Sequence, residues 1–140
     1  MEKIVSDITL NKDELLNRCQ KREIYYQIEE YYSKYPNVVI NMHRGGHIIQ
    51  FRYDDEHLLF NIQPYDDTIV AKIRLEPRVV KMIDINKLSE KGKLEYNQKK
   101  FCQTGYWIYL DLDNINDLVY LIDEKIKNLD RVSKKYKKTN

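Results

Sequence analysis

Between Val38 and Leu75, four short apolar runs alternate with polar turns and keep a single parity. The runs are Val38, Ile40 and Met42; Ile49, Phe51 and Tyr53; Leu58, Phe60 and Ile62; and Ile69, Ala71 and Ile73. Strand side chains alternate faces, so a chain with this pattern is committed to an antiparallel meander with one dry and one wet side. Closing each turn on four residues predicts Met42 opposite His47, Ile40 opposite Ile49 and Val38 opposite Phe51 across His43-Arg44-Gly45-Gly46. It also predicts Tyr53 opposite Leu58, Phe51 opposite Phe60 and Ile62 opposite Ile69, which lines up Ile40, Ile49, Ile62 and Ile69 in one inner row. Gly45 and Gly46 supply the positive φ that the first turn requires.

Two amphipathic helices are expected to cover the dry side. Leu15, Leu16, Cys19, Ile24, Ile28, Tyr31, Tyr32 and Tyr35 recur at helical steps, predicting one helix from Lys12 to Lys34 with Asn11 as N-cap and Pro36-Asn37 as its stop. Tyr25, Tyr26, Tyr31, Tyr32 and Tyr35 read as amphipathic rings at the rim of the core. Residues 76–105 lose periodicity and read as a connection with one or two irregular helical pieces. Tyr106 to Leu112 alternates as a fifth strand, with Trp107 and Tyr109 outward. Asp113 or Asn114 then caps a helix striped by Ile115, Leu118, Val119, Ile122, Ile126 and Leu129. The expected architecture is a single α+β domain, residues 1–140, with an antiparallel sheet of about five strands covered on one face by the N-terminal and C-terminal helices.

Composition narrows the class of function. The 42% hydrophobic and 33% charged content is that of a globular domain. The overall charge of +2 hides a basic helical tail at about 125–140, where seven cations face only Asp130, leaving the body near −4. Lys134, Lys135, Lys137 and Lys138 in that tail supply nonspecific electrostatic attraction, or simply suit the negative end of a helix dipole. Cys19 and Cys102 fit neither a disulfide framework nor a metal-ligand spacing. No apolar signal core and no run near the roughly twenty residues of a membrane span is present, so the expected location is the cytoplasm, without membrane contact.

Catalytic constellations are missing. His43 and His47 fall on opposite faces in the predicted register, which removes them as a metal pair. A metal-dependent nuclease would need acids and a lysine converging at a sheet edge; Asp66 and Asp67 lie in a turn before Lys72, and Asp123-Glu124-Lys125 lies on a helix. Gly45-Gly46 joins two strands rather than opening a helix, so it is not a phosphate loop. No histidine is positioned against Cys102, and Cys19 reads as core packing. The expectation is a non-enzyme with no cofactor and no metal.

Several segments resemble, as a pattern, an uncharacterised small α+β domain family found fused to or beside restriction-endonuclease-like proteins. The matching pieces are Ile48-Ile49-Gln50-Phe51-Arg52, Leu59-Phe60-Asn61-Ile62-Gln63-Pro64, Ile73-Arg74-Leu75, Thr104-Gly105-Tyr106, and Asp117-Leu118 through Leu121-Ile122, spanning roughly residues 38 to 128. Where the family's turn carries a histidine and two glycines, this chain has Gly105 alone. The resemblance implies a setting of DNA restriction, defence or phage counter-defence, and implies no catalytic residue.

What remains is the wet face. Projection places Asn41, Gln50, Arg52, Asn61, Gln63, Lys72 and Arg74 there, with Ile48, Leu59 and Val70 between them, and Trp107 and Tyr109 join them if the fifth strand lies in the same sheet. Arg52, Lys72, Arg74, Trp107, Tyr109, Gln50 and Asn61 are the candidate binding residues. The expected function is noncatalytic binding of a protein or nucleoprotein complex, with Trp107, Tyr109 and Arg52 as anchors, for example inhibition of a host nuclease complex. A nucleic-acid interface on the same face and tail is the alternative, and a homo-oligomer also stays open. The plainer reading is a solvated outer face, or one covered by residues 76–105.

Overall fold

A computed structural model describes residues 11–43 and 45–139, with side chains described as far as Leu129. The architecture is α+β: a six-stranded antiparallel sheet in the order β1-β2-β3-β4-β6-β5, with helices against one face and along one edge. The strands are β1 (Val38–Met42), β2 (Ile49–Tyr53), β3 (His57–Pro64), β4 (Ile69–Leu75), β5 (Lys100–Cys102) and β6 (Gly105–Asp111). The additional strand relative to the expectation is β5, three residues folded back on the start of β6.

Asn11 does cap a helix, through a complete capping box with Glu14. That helix, α1 (Lys12–Asn17), is short, and the predicted single helix is broken before α2 (Arg22–Tyr32). The break is held from outside, because the Gln20 N–H donates to the Asp66 carbonyl in the β3–β4 turn at 2.8 Å. The Cys19 thiol, buried as expected, donates to the Thr68 carbonyl at 3.6 Å.

The inner face keeps its predicted parity, but two hairpins pair two residues out of the expected register. Met42 faces Ile49, Ile40 faces Phe51 and Val38 faces Tyr53, so the first loop runs from His43 to Ile48 and His47 lies in it. Pro64 faces Ile69, which places Ile62 opposite Ala71. A shift of two residues preserves which side faces in, so the pattern of burial survives while the partners change. The inner rows are therefore Met42, Ile49, Ile62, Ala71 and Leu110, and Ile40, Phe51, Phe60, Ile73 and Ile108.

Between β2 and β3 a bulge places an extra residue, Leu59, between the Phe51–Phe60 and Arg52–Leu58 pairs. The predicted Tyr53–Leu58 pairing becomes Tyr53–His57. Leu59, expected outside, is fully buried with Phe60.

Over the inner face lie α2 and α5 (Asn116–Thr139). Tyr25 and Tyr32 are fully buried against Phe51, so part of the tyrosine cluster is core rather than rim. Tyr31 stays at the boundary and donates to Asp123 at 2.5 Å, tying α2 to α5. Burial first, and then the Asp123 carboxylate, push the Tyr31 hydroxyl well above its ordinary range.

Residues 76–105 are mostly ordered into elements: α3 (Pro77–Val80), a 3₁₀ turn at Ile85–Lys87, α4 (Glu90–Asn97) and β5. Ser89 caps α4, and Asp117 at the start of α5 accepts both the backbone N–H and the hydroxyl of Ser89. This joint fixes α4 beside the sheet, where the Glu95 carboxylate accepts the N–H of Asp111 at 3.0 Å.

Candidate functional site

The outer face is built by pairing across five strands. Asn41 pairs with Gln50, Gln50 with Asn61, Asn61 with Lys72, and Lys72 with Tyr109, giving an unbroken row of outward side chains from β1 to β6. One step along, Arg74 pairs with Trp107 and Trp107 with Lys100. Residues 76–105 flank this surface at its β6 end and leave it partly open. Asn41 and Tyr109 are exposed, the latter at 53%, and Gln50, Arg52, Asn61, Lys72, Arg74 and Trp107 are partly exposed.

Cations and rings on this face are interlocked. Lys72 Nζ stands 4.7 Å from the Trp107 ring centre and 5.7 Å from that of Tyr109, so one ammonium holds two aromatic faces in place. Arg74 lies over Gly105 and donates to the Thr104 hydroxyl. A Cβ on Gly105 would come within 2.7 Å of the guanidinium and would displace it from this position. Arg52 sits 3.5 Å from Asp55 in the β2–β3 turn. In the middle of the row the buried Asn61 Oδ1 has no hydrogen-bond partner among the described residues.

Beside Trp107 and Tyr109 is a hollow of about 610 Å³ shared with Glu95, Gln98 and Lys100, where α4 meets the edge of the sheet. Seven candidate residues thus lie on one face, with Arg52 separated from Lys72 by β3 rather than adjoining it. Ile48 and Leu59 leave the predicted set, the first to a loop and the second to the core. The side chains of Lys134, Lys135, Lys137 and Lys138 lie outside the described residues.

One residue assigned to the solvated tail has a different place. Lys125 is buried, and its ammonium donates to the main-chain carbonyls of Leu58 at 2.8 Å, Leu59 at 3.2 Å and Arg74 at 2.6 Å. Two of these carbonyls belong to the bulge and its neighbour. Burial, and then the positive charge of Arg74, push the Lys125 amine down to about 7. The signal was in the sequence: Leu118, Ile122, Lys125 and Leu129 follow one another at steps of four, three and four, which puts the lysine on the apolar stripe. A second hollow, of about 660 Å³, opens at this end of the sheet between Glu56, His57, Arg74, Arg78 and Lys125. Since the Lys125 ammonium has three protons and three carbonyl acceptors, the geometry makes it a plug for the bulge rather than a reactive amine.

Among the described residues, no three His, Cys, Asp or Glu side chains converge as metal ligands, and no helix is long and apolar enough to cross a membrane. No family model, curated protein or solved structure matches the chain. The resemblance to domains beside restriction-endonuclease-like proteins therefore rests only on the residues quoted for it.

Proposed function

We propose that this protein acts without catalysis, binding a protein or nucleoprotein complex on its outer sheet face. The observation that carries this reading is the Lys72–Trp107–Tyr109 cluster, open to solvent at the end of a five-strand polar row. Ordered aromatic rings lose little freedom on contact, which suits them as anchors in a protein interface. The local commitments of the cations point the same way: Arg52 has Asp55, Arg74 has Thr104 and Lys72 has its two rings, so this is not a row of free charges laid out for phosphates. The resemblance supplies the setting, DNA restriction, defence or phage counter-defence, with inhibition of a host nuclease complex as the example.

Binding of single-stranded nucleic acid is the second reading, favoured by the alignment of the amides of Asn41, Gln50 and Asn61 with Lys72 and Tyr109. Amides and rings on an open sheet suit bases, and the α5 tail adds positive charge. Parallel captures from the native host with the wild-type chain and the Trp107→Ala/Tyr109→Ala variant test the first reading. A specific protein set should be retained by the wild type and lost by the folded variant. Equal recovery by both would reject the face as the interface. For the second reading, Arg52, Lys72 and Arg74 changed together to Ala should abolish a salt-dependent mobility shift; an unchanged shift would sink it.

A further inference from the structure

The two edges of the sheet are treated differently. At the β5 and β6 side the edge strand is only three residues long and begins with Lys100, and beyond it Glu95 of α4 takes the Asp111 N–H. Short strands, lysine and helix cover are the usual guards against stray pairing. Among the described residues, the β1 edge has none of these. It is five residues, Val38-Val39-Ile40-Asn41-Met42, without a charge, and among the described residues it pairs only with β2.

Its backbone polarity can be read from both ends. Asn37 accepts the Asp54 N–H at 2.7 Å, and the His43 N–H donates to Ile48 at 2.7 Å, so the odd-numbered positions face β2. Val38, Ile40 and Met42 therefore turn their amides and carbonyls to the free edge. The Val38 N–H is already donated to Tyr35. The side chains of these three residues lie on the inner face and are only partly buried, while Val39 is 37% exposed on the outer face.

We propose that β1 is the seam of a homodimer, in which two copies pair their β1 strands antiparallel about Ile40 and join two sheets into one. This inference rests on the strand edge and is independent of the outer-face reading. Self-pairing about Ile40 satisfies each Ile40 N–H with the Ile40 carbonyl of the other copy, and each Met42 N–H with the opposite Val38 carbonyl. The committed Val38 N–H is not required for any of these bonds. A twofold axis normal to the sheet keeps inner with inner: Val38 meets Met42, Ile40 meets Ile40, and outside Val39 meets Asn41. No like charges face each other, which makes a second copy a better fit than a strand of fixed charge. The outer row would then continue across the seam into a second row.

Sedimentation of the full chain across a wide concentration range tests the proposal. The wild type should associate reversibly from 17.0 kDa to twice that mass. Ile40→Pro removes an N–H that the β1–β2 ladder does not use, and should weaken dimerisation at least tenfold while the fold is retained. Val39→Lys/Asn41→Lys leaves the backbone untouched and sets lysines opposite one another across the seam, so it should have the same effect if the proline variant fails to fold. A wild type that stays monomeric throughout would overturn the proposal, as would dimers of undiminished affinity in the folded variants. Slow hydrogen exchange of the Ile40 amide in a monomer would also overturn it, by showing that a strand of the same chain covers the edge.

Discussion

The ammonium of Lys72 stands 4.7 Å from the centre of the Trp107 ring, held there because the two residues occupy neighbouring strands on the same face. The rotation of that ring is thereby limited before any partner arrives. Preorganisation of this kind lowers the ordering cost of an interface, which is the physical basis of the proposal that partners bind on the outer face.

Trp107 is the only tryptophan in the chain, so its fluorescence reports on this face without labelling. Lys72→Met should alter the emission and cost about 0.5–1 kcal/mol of stability, the usual size of an exposed cation–π contact. Emission and denaturation curves superimposable on those of the wild type would show that the contact does not persist in solution.

Replacing Lys125 should be far more damaging than replacing a lysine in a solvated tail. Lys125→Met leaves one buried and two part-buried carbonyls without this donor, and a loss of about 2–4 kcal/mol is expected in urea denaturation.

The same residue sets a pH dependence of known sign. Burial holds the folded amine at about 7, against about 10.4 in an unfolded chain, so between those values the unfolded state binds more protons. Stability contributed at this site should therefore rise with pH from about 7 to about 10.4 and be flat below that window. Subtracting the Lys125→Met profile from the wild-type profile isolates the slope, and a difference that falls with pH would contradict the assignment.

Gly92 breaks the rule that alanine is preferred within a helix. Its place in α4 lies directly against the Asp117 carboxylate that holds Ser89, and an added methyl would collide with that carboxylate. Gly92→Ala should destabilise by about 1–3 kcal/mol, as overpacking does, instead of stabilising. A rise in the urea midpoint would show that the α4–α5 joint is loose.

Much of this fold was legible because strand parity is robust. The outer set Gln50, Arg52, Asn61, Lys72 and Arg74 follows from parity alone and survives a register error of two residues, so the face is legible although the partners across the first and third hairpins are not, while Phe51 does pair with Phe60 as expected. What local pattern could not reveal was decided by distant contacts. The break between α1 and α2 is held by the carbonyl of Asp66, and the bulge at Leu59 is sustained by an ammonium from the last helix. Lys125 was misread because its charge outweighed its position on the apolar stripe. The Lys72–Trp107 contact likewise depends on β6 lying beside β4, an adjacency that no turn length dictates.

The central claim is most directly tested by calorimetric titration of the captured protein or nucleoprotein partner with the wild-type chain and with Trp107→Ala. The account predicts that the folded variant loses about 2 kcal/mol or more of binding free energy, with an unfolding transition close to that of the wild type. Unchanged affinity in a folded Trp107→Ala chain would contradict it.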